Sequence, residues 1–117
     1  IRNGSGVLWQ SYSSDGGRSW TKGEATKIIN PGTRFFVRRL SSGRLFMINT
    51  PHPDKRIGLT AELGSDDQIF HPFLELDPRD KISYPDAVEA PGGRIYCIYD
   101  RDRNGAGEIL LSVFDIE

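Results

Sequence analysis

The sequence predicts an all-β protein, and three features of its 117 residues support that prediction. Thirteen glycines and seven prolines punctuate the chain, and the prolines interrupt every candidate helix between Asn30 and Gly92. The segments between these breaks are short and rich in β-branched and aromatic residues. Similar stretches also recur about 50 residues apart, as Gly43 and Gly93 show. Together these features predict short strands joined by tight turns.

The predicted strands show two kinds of apolar pattern. Between Ile57 and Leu63, apolar residues alternate with Gly, Thr and Glu, which is typical of a strand with one buried face. Leu45 to Ile48 and Ile95 to Tyr99 are continuously apolar, as in strands that are covered on both faces. Stacked sheets would cover strands in this way. In order, the predicted strands are 6–12, 34–40, 44–49, 56–63, 73–76, 85–90, 94–99 and 108–114.

Composition excludes several classes of function. The net charge is -1 without a basic stripe, so no nucleic-acid partner is predicted. The longest apolar run is Ile95 to Tyr99, far shorter than the roughly 18 residues of a membrane span. We therefore predict no membrane span. Cys97 is the single cysteine, so no internal disulfide can form, and cysteine usage does not indicate the redox compartment of the protein.

Two pairs of segments reveal an internal repeat. Ser42–Ile48 (SGRLFMI) is echoed by Gly92–Ile98 (GGRIYCI), and Ser13–Trp20 (SSDGGRSW) recurs in eroded form as Gly64–Phe70 (GSDDQIF). A period of about 50 residues with about four short strands has the size of one β-propeller blade. We expect about two blades: residues 1–33 end one blade, 34–80 form a complete blade, and 81–117 form most of the next.

Ser13-x-Asp15-x-Gly17-x-Ser19-Trp20 resembles an Asp-box, the repeated signature of the sialidase (neuraminidase) superfamily. The resemblance implies a six-bladed propeller of four-stranded antiparallel sheets, of which this chain would be a C-terminal fragment. We expect structural roles for the box. Asp15 should accept backbone amides of its own turn, and Trp20 should pack between sheets.

Three residues outside the box resemble the sialidase site. Arg2 and Arg56 match two arginines of a triad that grips the sugar carboxylate, and Tyr84 matches the tyrosine nucleophile. Two departures from the family pattern, Pro85 after the tyrosine and Asp100 where Glu is usual, leave room for an acidic sugar other than sialic acid. In an up-and-down sheet, the first and third strands start at the same edge. Arg2 and Arg56 precede the third strands of their blades, and Tyr84 opens a first strand, so all three residues should lie on one rim.

The resemblance further implies that the first arginine, the acid/base aspartate and the glutamate that activates the tyrosine lie upstream of Arg2. Without them the chain alone is expected to be inactive. Missing blades or self-association would be needed to cover its open sheet faces. The family also implies secretion or a periplasmic location.

A calcium loop is a weak alternative reading of residues 100–108. The sequence DRDRNG resembles the first half of such a loop, but Leu111 stands at its twelfth position and two arginines lie within it. Asn-Gly is also a strong hairpin signal, so we favour a plain turn and predict no other cofactor. The candidate calcium ligands are Asp100, Asp102, Asn104 and Glu108.

Three functions from different classes stay open. The chain is interpreted first as part of an exo-glycosidase that removes terminal sialic acid or a related acidic sugar from glycans. The second is a noncatalytic Asp-box propeller that binds carbohydrate or protein, with Trp9 and Tyr12 as stacking residues. The third is a self-standing small β domain that oligomerises.

Overall fold

The computed structural model describes residues 1–66 and 69–116, and within these ranges it contains strands and turns but no helix. The prediction of an all-β protein is therefore confirmed. No helix in the described residues is long and apolar enough to cross a membrane. The strands are β1 (Val7–Gln10), β2 (Glu24–Ile29), β3 (Phe36–Arg39), β4 (Leu45–Asn49), β5 (Ile57–Gly64), β6 (Phe70–Asp80), β7 (Ile82–Glu89), β8 (Arg94–Arg101) and β9 (Glu108–Asp115).

The strands form three antiparallel sheets in which sequence neighbours are also neighbours in space. The first sheet is β1-β2, the second is β3-β4-β5-β6, and the third is β7-β8-β9. Lys81 alone separates β6 from β7, so the chain passes from the second sheet to the third within one residue. Such up-and-down sheets are consistent with successive propeller blades. The closed propeller and its blade boundaries stay predictions.

Two strands differ most from the sequence prediction, and β7 also begins three residues earlier than predicted, so that Tyr84 lies within it. The sequence predicts no bounds for the strand β2, because Glu24 and Lys27 interrupt its apolar pattern, and the strand is mostly exposed. It forms by pairing with β1, where Trp9 lies opposite Ala25. The strand β6 is longer than predicted and includes Pro72 and Pro78. Because β6 is the edge strand of the second sheet, its prolines need not donate to a further strand.

The repeat is regular at the level of strand pairing. In the second sheet, Ile48 lies opposite Phe36 on one side and Ala61 on the other. In the third sheet, Ile98 lies opposite Asp86 and Leu111, each 50 residues further along the chain. The two sheets therefore share one register over three strands.

The core lies between the second and third sheets. Phe46, Ile48 and Leu59 of the second sheet pack there with Ile95 and Cys97 of the third. The opposite face of the third sheet is exposed and apolar. Several residues on it lie 50 positions after residues through which the second sheet packs against the third. These exposed residues are Tyr96, Ile98, Ile109, Leu111 and Val113, equivalent to Phe46, Ile48, Leu59, Ala61 and Leu63.

The turn between β1 and β2 is organised by Asp15. Its Oδ1 accepts the backbone N–H groups of Arg18 (3.0 Å) and Ser19 (2.9 Å), and its Oδ2 accepts the Ser19 hydroxyl (2.6 Å). Ser13 Oγ accepts the Gly17 N–H at 2.8 Å. Hydrogen bonding, first from the Ser19 hydroxyl, lowers the pKa of Asp15 to about 2. The Asp15 carboxylate thus stabilises the turn to which it belongs.

Trp20 does not pack between sheets as predicted. Its side chain is 63% exposed at the edge of a groove between the first and second sheets. The indole N–H donates to the Gly17 carbonyl at 3.1 Å, which ties the ring to its own turn. In the second, eroded box, Asp66 accepts Arg39 Nη1 at 2.9 Å, whereas Asp67 and Gln68 lie outside the described residues.

Candidate functional site

Tyr84 lies on a distorted segment of β7. The register between β7 and β8 shifts between Ser83 and Asp86, and Tyr84 has φ 55. Positive φ is uncommon for a tyrosine, and Pro85 further restricts the residue before it to extended conformations. Bulges of this kind redirect side chains beside functional sites. Here the phenol emerges, 37% exposed, at the edge where β5 and β7 begin and β8 ends, which we call the Tyr84 rim.

Three guanidinium groups surround the Tyr84 ring. The Cζ atoms of Arg103, Arg2 and Arg34 lie 4.5, 5.6 and 6.0 Å from its centroid. Such distances allow cation–π attraction. Hydrogen bonding from Arg2, and then from Arg103, lowers the pKa of the Tyr84 hydroxyl, and the positive charge of both side chains adds to this effect. The two arginines therefore stabilise the phenolate form of Tyr84 more than water would.

Arg2 is positioned by the segment that connects β2 to β3. Its Nη1 donates to the Gly32 carbonyl at 3.2 Å. Gly32 has φ 83, and a Cβ there would lie 2.8 Å from the Asn3 carbonyl oxygen. Only glycine allows this close approach without strain. The segment is further anchored by Ile1, whose backbone exchanges two hydrogen bonds of 2.8 Å with that of Trp9.

Arg103 is held by a compact polar network. Its Nη2 donates to Ser83 Oγ at 2.9 Å and to Asp100 Oδ2 at 2.8 Å. Ser83 in turn donates to Asp100 Oδ1 at 2.6 Å. Charge-assisted bonds of this length fix the guanidinium firmly. Asp100 occupies the position at which the resemblance places a carboxylate that braces an arginine, and the arginine it contacts here is Arg103.

Arg34 comes from the loop before β3. It forms an ion pair with Asp86, in which Nη2 and Oδ2 are 3.7 Å apart. Arg34 lies 50 residues before Tyr84, so the two residues hold equivalent positions in the repeat. Both stand near the start of the first strand of a sheet, which is why they meet at the same rim.

Arg56 lies on the same rim, beside the residues that adjoin Tyr84. Its carbonyl accepts the Ile82 N–H at 3.3 Å, which joins the start of β5 to the start of β7. Its side chain lines a cavity of about 510 Å³ whose wall includes Ser83 and Arg103, both adjoining Tyr84. The other lining residues are Lys81, Asp102, Asn104 and Gly105.

Most cations of the rim are compensated by carboxylates. Arg34 pairs with Asp86, Arg103 with Asp100, and Lys81 with Asp102. Within residues 1–66 and 69–116, neither Arg2 nor Arg56 has a carboxylate partner. Sequence resemblance predicts these same two arginines as carboxylate-binding residues, and neither forms an ion pair with a carboxylate of the described residues.

The comparisons with known proteins agree with the sequence resemblance. The family model of the BNR repeat-like domain matches residues 1–97. The chain belongs to this family. Its membership in the sialidase/BNR-repeat superfamily is thus confirmed. Neither the curated proteins nor the solved structures gave a match.

In this BNR repeat-like domain, three of the four candidate calcium ligands bind other partners. Asp102 accepts Lys81 Nζ at 3.1 Å and the Ala106 N–H at 3.1 Å. Glu108 accepts Arg101 Nη1 at 3.2 Å, and Asp100 belongs to the Arg103 network. Among the described residues, no three His, Cys, Asp or Glu side chains are grouped to hold a metal ion. Calcium stays an alternative to the plain turn that the sequence favours at this loop.

Backbone strain is concentrated at this rim. Lys81, Tyr84 and Asp102 have φ values of 58, 55 and 49, and they are the non-glycine residues with positive φ in the described part of the chain. Such conformations cost of order 1–3 kcal/mol each and cluster at functional sites. The Asp102 N–H donates to the Lys81 carbonyl at 3.1 Å, which joins two of the three.

Proposed function

We propose that this chain supplies the carboxylate-binding and nucleophilic parts of a sialidase-like exo-glycosidase that acts on terminal sialic acid or a related acidic sugar. The observation that carries the proposal is the arrangement around Tyr84, where Arg2, Arg34 and Arg103 lie within 6.0 Å of the ring centroid. This arrangement suits a site that receives an anionic ligand and stabilises a phenolate.

The sugar carboxylate is bound by the two arginines that form no ion pair with a carboxylate of the described residues. Arg2 and Arg56 present planar guanidinium groups, which bind carboxylates through two parallel hydrogen bonds. Arg34 and Arg103 are already paired with aspartates, so their role is to hold the Tyr84 ring and its charge. The carboxylate orients the sugar with its anomeric carbon toward the phenol.

Tyr84 then acts as the nucleophile. Its hydroxyl gives its proton to the base, and its oxygen forms a bond to the anomeric carbon while the glycosidic C–O bond breaks and the leaving oxygen takes a proton from the acid. Water later attacks the same carbon and gives a proton to the deprotonated acid, while the bond to Tyr84 breaks and its oxygen takes back the proton held by the base. The free sugar is then released. Because the flanking arginines lower the pKa of Tyr84, a weaker base can remove the phenolic proton. The resemblance places the acid and base upstream of Arg2.

The test is hydrolysis of a fluorogenic sialoside by the complete protein that contains these residues. Tyr84→Phe keeps the ring and its cation contacts but removes the nucleophilic oxygen, so turnover should fall by at least about 10³-fold. Binding of sialic acid to Tyr84→Phe should persist. Tyr96→Phe, a change at an exposed tyrosine on the outer face of the third sheet, is the matched control. Hydrolysis that is indifferent to Tyr84→Phe would refute the assigned role.

A noncatalytic carbohydrate-binding role is the second candidate. The groove between the first and second sheets has a volume of about 700 Å³ and is lined by Trp9, Trp20 and Phe70. Aromatic surfaces with a polar tip are suited to stacking against sugar rings. If this role is the main one, Trp20→Ala should abolish glycan binding and Tyr84→Phe should leave it intact.

A further inference from the structure

A pair of buried asparagines joins the first sheet to the second. Asn30 follows β2 and Asn49 ends β4, and the two residues are 0% and 1% exposed. Asn30 Nδ2 donates to Asn49 Oδ1 at 2.9 Å, and Asn49 Nδ2 donates to the Ile29 carbonyl at 2.9 Å. The Asn49 side chain also hydrogen-bonds Glu62, which partly offsets the rise that burial causes in the pKa of that carboxyl. Three partners thus fix the orientation of the Asn49 amide.

The same pair is connected to Arg2 through one turn. Asn30 Oδ1 accepts the Gly32 N–H at 2.8 Å, and the Gly32 carbonyl accepts Arg2 Nη1 at 3.2 Å. An asparagine that accepts the N–H two residues later stabilises a turn at its own position. A continuous series of hydrogen bonds therefore runs from Asn49 in the second sheet to the guanidinium of Arg2, whose Cζ lies 5.6 Å from the Tyr84 ring centroid.

Packing of one sheet on the next does not require this asparagine pair. The residues 50 positions after Asn30 and Asn49 are Asp80 and Tyr99. Tyr99 is buried between the second and third sheets, where its hydroxyl donates to Asp77 at 3.1 Å rather than to Asp80. Buried amides are costly unless their polar atoms are paired, so a fully paired one is a specific feature. The pair belongs to the boundary between the first and second sheets and not to the repeat.

We propose that the Asn30–Asn49 pair holds the guanidinium of Arg2 beside Tyr84, so that both asparagines are positioning residues of the candidate site. This inference rests on the proposed function, because it takes Arg2 as a group that binds the sugar carboxylate. Arg2 is exposed, and a long exposed side chain has many rotamers. A carbonyl that is fixed in place selects the rotamer in which the guanidinium lies beside the phenol.

The test measures the pKa of Tyr84 in this chain by NMR titration of its ring carbon, assigned by its absence in Tyr84→Phe. Hydrogen bonding from Arg2 lowers this pKa in the wild type. Asn49→Ala removes the anchor of Asn30, so the pKa of Tyr84 should rise by part of the rise that Arg2→Met produces. Added to Arg2→Met, the same change should produce no further rise, because the pair acts through Arg2. An equal rise in both backgrounds, or no rise in either, would overturn the proposal.

Two further variants separate positioning from stability. Met47→Ala removes another buried side chain of β4, so it should lower the melting temperature but leave the pKa of Tyr84 unchanged. Asn30→Ser keeps an acceptor for the Gly32 N–H but is too short to reach Asn49, so it should raise the pKa of Tyr84. Asn30→Ser decides the question if Asn49→Ala does not fold. An equal rise in Met47→Ala would overturn the proposal.

Hydrolysis of a fluorogenic sialoside by the complete protein provides the second readout. Asn49→Ala should raise KM about tenfold and change kcat less, because the carboxylate loses a well-placed charge-assisted contact. Hydrolysis with an unchanged KM in Asn49→Ala would overturn the positioning role and leave the proposed function standing. An inactive wild type would overturn the proposed function, whereas the pKa comparison would still decide whether the asparagines position Arg2.

Discussion

Leu59 and Ile109 hold equivalent positions of the 50-residue repeat, but their surroundings differ. Leu59 is 0% exposed between the second and third sheets, whereas Ile109 is 75% exposed on the outer face of the third sheet. Leu59→Ala removes a fully buried side chain and should lower the free energy of unfolding by about 2–5 kcal/mol. Ile109→Ala changes an exposed strand position and should cost no more than about 1 kcal/mol.

Urea unfolding followed by tryptophan fluorescence measures both free energies, and calorimetry gives the melting temperatures. For a domain of this size, 1 kcal/mol corresponds to about 4 °C. Leu59→Ala should therefore melt roughly 8–20 °C below the wild type, and Ile109→Ala within about 4 °C of it. Circular dichroism should show that both variants keep their strands. Equal losses in the two variants would refute the arrangement in which only one of these faces is covered.

Three further predictions concern the site and its support. Arg103→Met should raise the pKa of Tyr84 toward its ordinary value, because the variant loses a hydrogen-bond donor and a positive charge; NMR titration of the tyrosine ring carbon measures this, and an unchanged pKa would contradict it. Hydrogen bonding from Arg79 lowers the pKa of Asp77 to about 2, below its ordinary 3.8, so the stability it contributes above pH 4 should be lost as the pH falls toward 2. In Asp77→Asn the melting temperature should change less than in the wild type over that pH range. An equal change in the two proteins would contradict the role of Asp77. Gly32→Ala should cost about 1–2 kcal/mol through its positive φ and should also weaken acid binding by displacing the segment before β1; unfolding and calorimetry check the two effects.

The fold could be predicted to the level of its sheets because the repeat and the strand pattern are both properties of the sequence. Alternation in β5 and the Gly-Arg turns before β4 and β8 locate the strands to within a few residues. The strand β2 could not be predicted from periodicity, since it depends on pairing with β1 rather than on its own apolar residues. The same limit applies to β6, where prolines obscure an edge strand.

The candidate site was only partly visible in the sequence. Resemblance and strand order indicate Arg2, Arg56 and Tyr84, and the structure brings Arg2 to the Tyr84 ring. Arg103 was not predicted because the sequence of its loop is typical of a hairpin or of half a calcium loop. The loop sequence itself does not indicate that Arg103 lies over the Tyr84 ring. Arg34 had a usable signal, since it lies 50 residues before Tyr84 in the repeat.

Arg34 and Tyr84 hold equivalent positions of the repeat, but only Tyr84 lies on a distorted strand. The register between β3 and β4 is regular, whereas that between β7 and β8 shifts between Ser83 and Asp86. Tyr84 lies within this shift and takes a positive φ, which Arg34 does not. The repeat brings both residues to one rim because it fixes where each first strand begins. The bulge then turns the phenol among the guanidinium groups, so the candidate site at this rim arises from a local departure from the repeat rather than from the repeat itself.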